Sequence, residues 1–214
     1  MGAQLDHRLN LVLIAFLLFP LGGSEAASQS SPPPVSTPEA HLGKGYDALK
    51  NDRYDAAVAE FRAALRLDPS LVLRARFPLA VAFCELHKPV DARREFEAVR
   101  RDAGDHPNVL YYLGRLDLDE RNFTGAIRNL TKAAAEPPFP DTTYYLGFAC
   151  FKQGDLAAAE KWLTQASRTN PHDARILYQL GLVYRKQGRE EEAQNAIVQS
   201  NEQRQHLCLG AWQG

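Results

Sequence analysis

Between Asp141 and Pro171 the apolar and small residues follow the spacing of two α-helices. Leu146 and Gly147 fall in the first helix, and a Gly-Asp pair marks the turn after it. In the second helix, small and apolar residues four and three positions apart line one face: Ala159, Leu163 and Ala166. Such a stripe lets two helix backbones approach closely. The stretch therefore predicts one helix-turn-helix unit.

The same pattern recurs along the chain at intervals of 35, 34, 33 and 34 residues. The small residue of the first helix recurs as Gly45, Ala80, Gly114, Gly147 and Gly181. The alanine of the second helix recurs as Ala57, Ala92, Ala126, Ala159 and Ala193. Four residues later come Phe61, Phe96, Leu130, Leu163 and Ile197, and three after those come Ala64, Val99, Ala133, Ala166 and Ser200. Four positions that keep one register predict five stacked repeats.

On these residues the chain resembles the tetratricopeptide repeat family, from roughly Pro38 to Arg204. A leucine precedes the small residue at Leu79, Leu113, Leu146 and Leu180, and a proline closes three units at Pro69, Pro138 and Pro171. The resemblance implies an all-α fold, a right-handed α-solenoid of stacked helix-turn-helix units. We expect a repeat domain over residues 38–206, with units at about 38–72, 73–106, 107–139, 140–173 and 174–206.

Some residues depart from the family's pattern. Lys44 replaces the usual leucine of the first unit, and Asp117 occupies a position that is apolar or aromatic in the other units. The second unit has Pro78 inside its expected first helix and Pro89 in its turn. Because an interior proline removes a hydrogen bond and costs about 3 kcal/mol, we expect that helix to start near Phe77 or to kink there.

The chain opens with a segment that resembles a secretory signal peptide. An apolar stretch from Leu11 to Leu21 follows Arg8, and small residues come next at Ser24 and Ala26. The stretch is shorter than the ~20 residues that a membrane-spanning helix needs. Residues 1–27 therefore predict export to the periplasm or the exterior, and an uncleaved membrane anchor is the alternative.

Ser and Pro dominate the next stretch, and residues 28–37 are predicted to be a linker. This composition favours an extended spacer, with a proline-rich docking ligand as the alternative. At the other end, a short apolar tail covers residues 207–214. We expect the tail to fold back onto the last unit, and dimerisation through that end is the alternative.

Composition limits the classes of partner. The 25 Lys and Arg residues are balanced by 26 Asp and Glu residues, for a formal net charge of -1, so a nucleic-acid partner is not expected. Cys150 falls on the apolar face of its helix, where a cysteine acts as a small apolar residue. The six histidines are scattered, and no metal-binding or catalytic motif is found. We therefore expect no enzyme activity, no metal and no cofactor.

The resemblance also implies that the first helices line a concave groove. At the positions that face it, aromatic and basic residues accumulate towards the third to fifth units. The predicted peptide-binding residues are Tyr46, Phe77, Tyr111, Arg115, Tyr144, Phe148, Phe151, Tyr178 and Arg185. The densest set lies in the fourth unit, where three rings are spaced i, i+4 and i+7. The alternative is that some of these rings pack between neighbouring helices.

One binding mode of the family is not expected. Co-chaperone repeats grip a carboxylate with Lys, Asn and Arg side chains, whereas the matching positions here hold Leu42, Tyr46, Pro78, Asn108 and Tyr112. A slight excess of cations in the later units nevertheless suits a peptide that carries carboxylates. The sequence thus predicts a non-enzymatic scaffold that binds a protein or peptide in the groove. A structural subunit of a cell-envelope or secretion assembly, acting through its end faces and tail, is the alternative.

Overall fold

The computed structural model describes residues 36–210, with side chains up to Gln205. The predicted signal peptide and most of the predicted linker lie outside the described residues, as does the end of the tail from residue 211. Within the described part the chain divides into two compact units, residues 36–104 and 105–210.

The first unit contains four α-helices and one π-helical segment. The helices are α1 (Pro38–Lys50), α2 (Tyr54–Leu67), α3 (Phe77–Glu85) and α4 (Pro89–Ala103), and the π-helical segment spans Val72–Arg76. Thr37 caps α1, because its hydroxyl accepts a hydrogen bond from the amide of Ala40 at 3.1 Å. Each helix packs against the one before it.

The second unit contains six α-helices: α5 (Pro107–Asp119), α6 (Phe123–Ala133), α7 (Thr142–Gln153), α8 (Leu156–Thr169), α9 (Ala174–Lys186) and α10 (Glu190–Gly210). The side chains of Asn122, Asp155 and Asp173 cap α6, α8 and α9. Helix α10 continues to Gly210, past the predicted end of the repeat domain at residue 206. Consecutive helices pack together, and the first helices α5, α7 and α9 also contact one another in turn.

The small residues of the first helices pack against the large apolar residues of the second helices, as the repeat pattern predicts. A Cβ atom at Gly147 would lie 2.7 Å from Cγ of Leu163, and one at Gly114 would lie 2.6 Å from Cγ of Leu130. The alanine of every second helix is fully buried: Ala57, Ala92, Ala126, Ala159 and Ala193. The predicted all-α class of helix-turn-helix repeats is therefore confirmed.

The irregular second repeat adapts to its prolines. Helix α3 begins at Phe77, as predicted, so Pro78 lies in the first turn, where its missing N–H removes no helical hydrogen bond. Pro89 is the first residue of α4 for the same reason. The π-helical segment Val72–Arg76 lies between α2 and α3 and ends directly before Phe77.

The departure at Asp117 creates a buried polar cluster. Asp117 is 3% exposed and accepts hydrogen bonds from Nδ2 of Asn129 at 2.8 Å and from Nδ2 of Asn122 at 3.1 Å. Oδ1 of Asn122 accepts in turn from the amide of Gly125. The carboxylate therefore ties the end of α5 to the start and middle of α6.

The turn between the two helices of each repeat has one residue in the left-handed region. In the fourth repeat this residue is Gly154, with φ of 95°, and in the fifth it is Gly188, with φ of 78°. In the first, second and third repeats it is Asp52, His87 and Arg121, with φ of 56°, 54° and 60°, respectively. These five positions keep the repeat register, so the same turn geometry recurs in every repeat. Residues other than glycine adopt this left-handed conformation only with steric strain in the backbone.

Candidate functional site

The predicted groove residues of the first unit are both half-buried. Tyr46 packs edge-on against Phe61, with 5.3 Å between ring centroids, and its hydroxyl donates a hydrogen bond to the carbonyl oxygen of Arg74 at 2.8 Å. Burial raises the pKa of Tyr46. Phe77 packs edge-on against Phe96 at 5.7 Å. Each ring therefore packs on one side against a phenylalanine of the same unit.

In the second unit, Tyr111 does not lie on an exposed surface. Its side chain is 0% exposed, and the prediction that it lines an open groove is wrong. The Phe139 ring lies 4.5 Å away, and the tyrosine hydroxyl donates to Oδ1 of Asp141 at 3.0 Å. Burial raises the pKa of Tyr111. This ring belongs to the core because the connection between α6 and α7 folds over it.

Arg115 lies one helical turn after Tyr111 and is half-buried. Its guanidinium is 5.7 Å from the ring centroid of Tyr111 and 4.9 Å from that of Tyr145 on α7. No acidic side chain of the described residues lies within 4 Å of it. Arg115 is therefore a cation held between two aromatic rings rather than in an ion pair.

Tyr144 and Phe148 stack on α7 with ring centroids 6.3 Å apart. Tyr144 is 9% exposed, and burial raises its pKa to about 12. The guanidinium of Arg175, from α9, lies 5.1 Å from the Tyr144 ring, and the ammonium of Lys152 lies 5.0 Å from the half-buried Phe148 ring. The accessible surface at Tyr144 and Phe148 is therefore formed largely by the two cations that cover the rings.

Phe151 and Tyr178 repeat this arrangement. The ammonium of Lys186, on α9, lies 5.0 Å from the Phe151 ring. Tyr178 is 39% exposed, and the guanidinium of Arg204, on α10, lies 5.8 Å from its ring. The last predicted residue, Arg185, is exposed near the end of α9. Each aromatic residue predicted for the groove in this unit therefore has a cation within cation–π distance.

A small cavity of about 150 Å³ opens at the end of this surface. It lies among α7, α9 and α10 and is lined by Tyr144, Ala174, Arg175, Tyr178, Gln179, Ser200 and Arg204. The hydroxyl of Ser200 donates to the carbonyl oxygen of Ala174 at 2.7 Å, which fixes α10 against α9. The two arginines that cover Tyr144 and Tyr178 thus border the same cavity.

We call this surface the first-helix face. It is formed by α5, α7 and α9, with one residue from α10. Its members are Arg115, Tyr144, Phe148, Phe151, Lys152, Arg175, Tyr178, Arg185, Lys186 and Arg204.

The sequence indicated an excess of cations in the later units but not the pairing of four of them with rings, and it did not indicate two of the rings that bury Tyr111. Lys152, Arg175, Lys186 and Arg204 were not predicted to pair with rings, because nothing in the repeat pattern places a ring beside them. The two rings are Phe139, which lies in a connection, and Tyr145, which comes directly after a predicted groove residue. A signal was present for Lys152, which lies four residues after Phe148 on one helix face.

Chemistry-bearing groups are sparse in the described part of the chain. Residues 36–210 hold no group of three or more His, Cys, Asp or Glu side chains that is placed to bind a metal ion. Cys150 is 3% exposed, as predicted, and burial raises the pKa of its thiol to about 11. The thiol is therefore protonated and poorly nucleophilic at neutral pH. In the same residues no helix has the length and apolar character needed to cross a bilayer.

Solved structures with this fold include bacterial proteins. The MamA protein of Desulfovibrio magneticus RS-1 superposes with a TM-score of 0.72 at 16% identity, over 79% of this chain and 96% of that one. YrrB, described as a TPR protein with an unusual peptide-binding site, superposes with a TM-score of 0.68 at 18% identity, over 81% and 91%. At such identities the likeness concerns the fold alone.

A region of a much longer protein is also similar in sequence. Cilia- and flagella-associated protein 70 of Homo sapiens is 32% identical over 95 residues, which are 44% of this chain and 8% of that protein. The protein of the same name from Macaca fascicularis matches to the same extent, over 9% of its length. The chain thus spans less than a tenth of the curated relatives that it matches.

Family models cover most of the described residues. One model of the tetratricopeptide repeat matches residues 42–107, 77–141 and 151–200, and a second matches residues 117–175. Proteins built from this repeat are generally non-enzymatic scaffolds with protein or peptide partners. With the register of its five repeats and the packing of their helices, the chain belongs to the tetratricopeptide repeat family.

Proposed function

We propose that the chain is a non-enzymatic scaffold that binds an extended segment of a partner protein on the first-helix face. The observation that carries this proposal is the series of rings, each covered by a cation, that runs along α7 and α9. Exposed arginine and half-buried aromatic side chains are the residue types that dominate binding energy at protein interfaces. Their concentration on one side of three adjacent helices favours recognition of a peptide there.

The geometry of the face favours an extended segment over a compact ligand. A cavity of about 150 Å³ is smaller than the roughly 300–1,000 Å³ that pockets for small molecules occupy. It has room for a single side chain. A segment lying across α7 and α9 would place one residue in the cavity and others against Phe148 and Phe151.

Peptide selection tests this function. A display library of random 12-residue peptides is selected on the full chain, and the affinities of the selected peptides are measured by fluorescence anisotropy. Tyr178→Ala and Lys186→Ala are the informative variants, because both residues are exposed and their loss leaves the core intact. We expect each substitution to weaken binding by about tenfold, as for an interface residue worth more than 1 kcal/mol.

Matched controls lie outside the first-helix face. Lys161 covers Trp162 on α8 in a cation–π pair at 5.0 Å, and Val198 is an exposed apolar residue of α10. Lys161→Ala and Val198→Ala should leave the affinities within twofold of the wild-type values. The proposal is wrong if no peptide binds, or if the control variants weaken binding as much as the variants of the face. Tyr144→Ala is unsuitable, because a residue that is 9% exposed also contributes to folding.

We also propose that the chain is exported, on the basis of the apolar stretch from Leu11 to Leu21 and the small residues after it. Expression of the full chain with a C-terminal tag, followed by cell fractionation and intact-mass measurement, tests this. A product that lacks about the first 27 residues and is found outside the cytoplasm supports export. A full-length product in the membrane fraction favours the uncleaved anchor, and one in the cytosol contradicts both.

A further inference from the structure

We infer that the segment bound by the first-helix face is acidic, and that one of its carboxylates enters the cavity between Arg175 and Arg204. This inference rests on the proposed function and specifies the chemistry of the partner. It depends on how the cations are held and on which of them already have a carboxylate partner.

A cation–π contact with an aromatic ring leaves hydrogen-bond donors of a guanidinium group available. A guanidinium is planar and carries five N–H donors around its edge, so a ring that occupies its face does not compete for them. Arg204 lies 5.8 Å from the Tyr178 ring, and its Nη2 donates to Oδ1 of Asn201. Among the described residues, Nε and Nη1 of Arg204 have no acceptor. Arg204 therefore offers donors for a carboxylate from outside.

Arg175 is partly neutralised. Asp173 accepts from Nε at 3.0 Å and from Nη2 at 2.6 Å, which occupies one edge of the guanidinium. The Nη1 side of Arg175 has no acceptor among the described residues. Since both arginines line one cavity of about 150 Å³, a carboxylate placed there would lie beside two side chains that each keep a donor without an acceptor among the described residues.

Most other cations of the first-helix face also have no carboxylate partner among the described residues. Of the cations that cover its rings, Arg175 is in an ion pair, whereas Arg115, Lys152, Lys186 and Arg204 have no acidic side chain within 4 Å in the described part of the chain. Several carboxylates of this unit instead pair elsewhere: Asp105 with Lys132, Glu160 and Glu192 with Arg189, and Asp117 with two asparagines. An acidic segment would complement Lys152, Lys186 and Arg204, which have no ion-pair partner among the described residues, whereas a neutral or basic one would not.

Paired peptides test the inference. An array presents the peptides selected on the full chain together with copies in which every Asp is Asn and every Glu is Gln. We expect the acidic member of each pair to bind about tenfold more tightly at 0.15 M salt, the difference that one charge-assisted contact provides. We also expect this preference to fall when salt is raised to 0.5 M, because exposed charges are screened.

Three variants locate the carboxylate. Arg204→Gln should reduce the acidic preference to less than threefold, whereas Arg168→Gln, a change of the same charge at an exposed position on α8, should leave it unchanged. Asp173→Asn should strengthen binding of the acidic peptides about threefold, because it removes the anion that competes for Arg175. Asparagine caps a helix as well as aspartate does, so α9 keeps its N-cap.

The outcomes separate this inference from the proposed function. Peptides that bind equally well in acidic and amide form would overturn the inference and leave the function intact. Absence of any peptide binding would overturn both. A preference that Arg168→Gln reduces as much as Arg204→Gln, or that inorganic phosphate at 10 mM abolishes, would show general attraction of anions and would overturn the assignment to the cavity.

Discussion

Tyr111 in the third repeat and Tyr178 in the fifth occupy the same register position and have opposite surroundings. Each lies three residues before the small residue of its first helix, at Gly114 and Gly181. Yet Tyr111 is 0% exposed and Tyr178 is 39% exposed. The repeat pattern alone therefore does not determine whether a residue at this position is core or surface.

The difference comes from the next element of the chain after each repeat. Tyr111 is covered by Phe139, from the connection after α6, and by Tyr145, on the next first helix, with centroids 4.5 Å and 6.0 Å away. No further first helix comes after α9 in the described part of the chain, and the Tyr178 ring lies beneath Arg204 of α10. In a stacked array, each repeat thus decides the exposure of the face of the one before it.

The largest expected effect comes from removing the two rings. Tyr111→Ala should lower the free energy of unfolding by about 3–5 kcal/mol, the usual cost of truncating a buried aromatic residue. Tyr178→Ala should lower it by only about 1 kcal/mol, because more than a third of this side chain is already exposed. Urea denaturation followed by circular dichroism measures both values. Similar losses for the two variants would mean that Tyr178 is as much a core residue as Tyr111.

The second expected effect concerns the next pair of equivalent positions, Asp117 and Tyr184. Asp117→Ala leaves the amide groups of Asn122 and Asn129 without their buried acceptor, so it should cost about 2–3 kcal/mol. In the fifth repeat, Tyr184 is half-buried beneath Arg189 and has no such network among the described residues. Asp119→Ala, at the exposed end of α5, is the control and should be neutral. If Asp117→Ala is neutral as well, the cluster contributes nothing to stability.

These differences show where sequence reasoning succeeded and where it could not. Contacts within a repeat, such as Gly147 on Leu163, were predictable because both partners recur at a fixed spacing. Contacts between repeats were not. Arg175 and Tyr144 are on different first helices, and Phe139 follows a closing proline at a position that holds Ser70 or His172 in other units.

The polar cluster illustrates a related limit. Asp117 stood out in the sequence as a departure from an apolar position, but its partners were not recognisable as such. Asn122 and Asn129 each begin an Asn-X-Thr sequence, which suggests a surface glycosylation site. In the fold, Asn129 is 3% exposed and bound to Asp117. The reason for Asp117 at a position that is apolar or aromatic in the other repeats is visible only in the structure, where α6 places the two asparagines beside it.

A smaller expected effect isolates the hydroxyl of Tyr111. Tyr111→Phe removes the hydrogen bond to Asp141 while keeping the ring, and should cost about 1.5–2 kcal/mol, at the lower end of the range for a hydrogen bond to a charged group. Tyr178→Phe should be neutral, because the structure gives its hydroxyl no partner among the described residues. The comparison is again made by urea denaturation. An unchanged stability for Tyr111→Phe would show that the ring alone holds the connection over α5.

The smallest expected effect lies in the turns of the same two repeats, where Arg121 and Gly188 share the left-handed conformation at φ of 60° and 78°. Arg121→Gly should raise the free energy of unfolding by about 0.5 kcal/mol, because the relief of left-handed strain exceeds the added entropy of the unfolded chain. Gly188→Ala should lower it by about 1 kcal/mol, although no atom lies within 4 Å of the added Cβ, since the strain is in the backbone itself. Thermal unfolding monitored by circular dichroism resolves changes of this size as shifts of a few degrees in Tm. A loss of stability in Arg121→Gly would mean that the arginine side chain contributes more to the turn than its backbone strain costs.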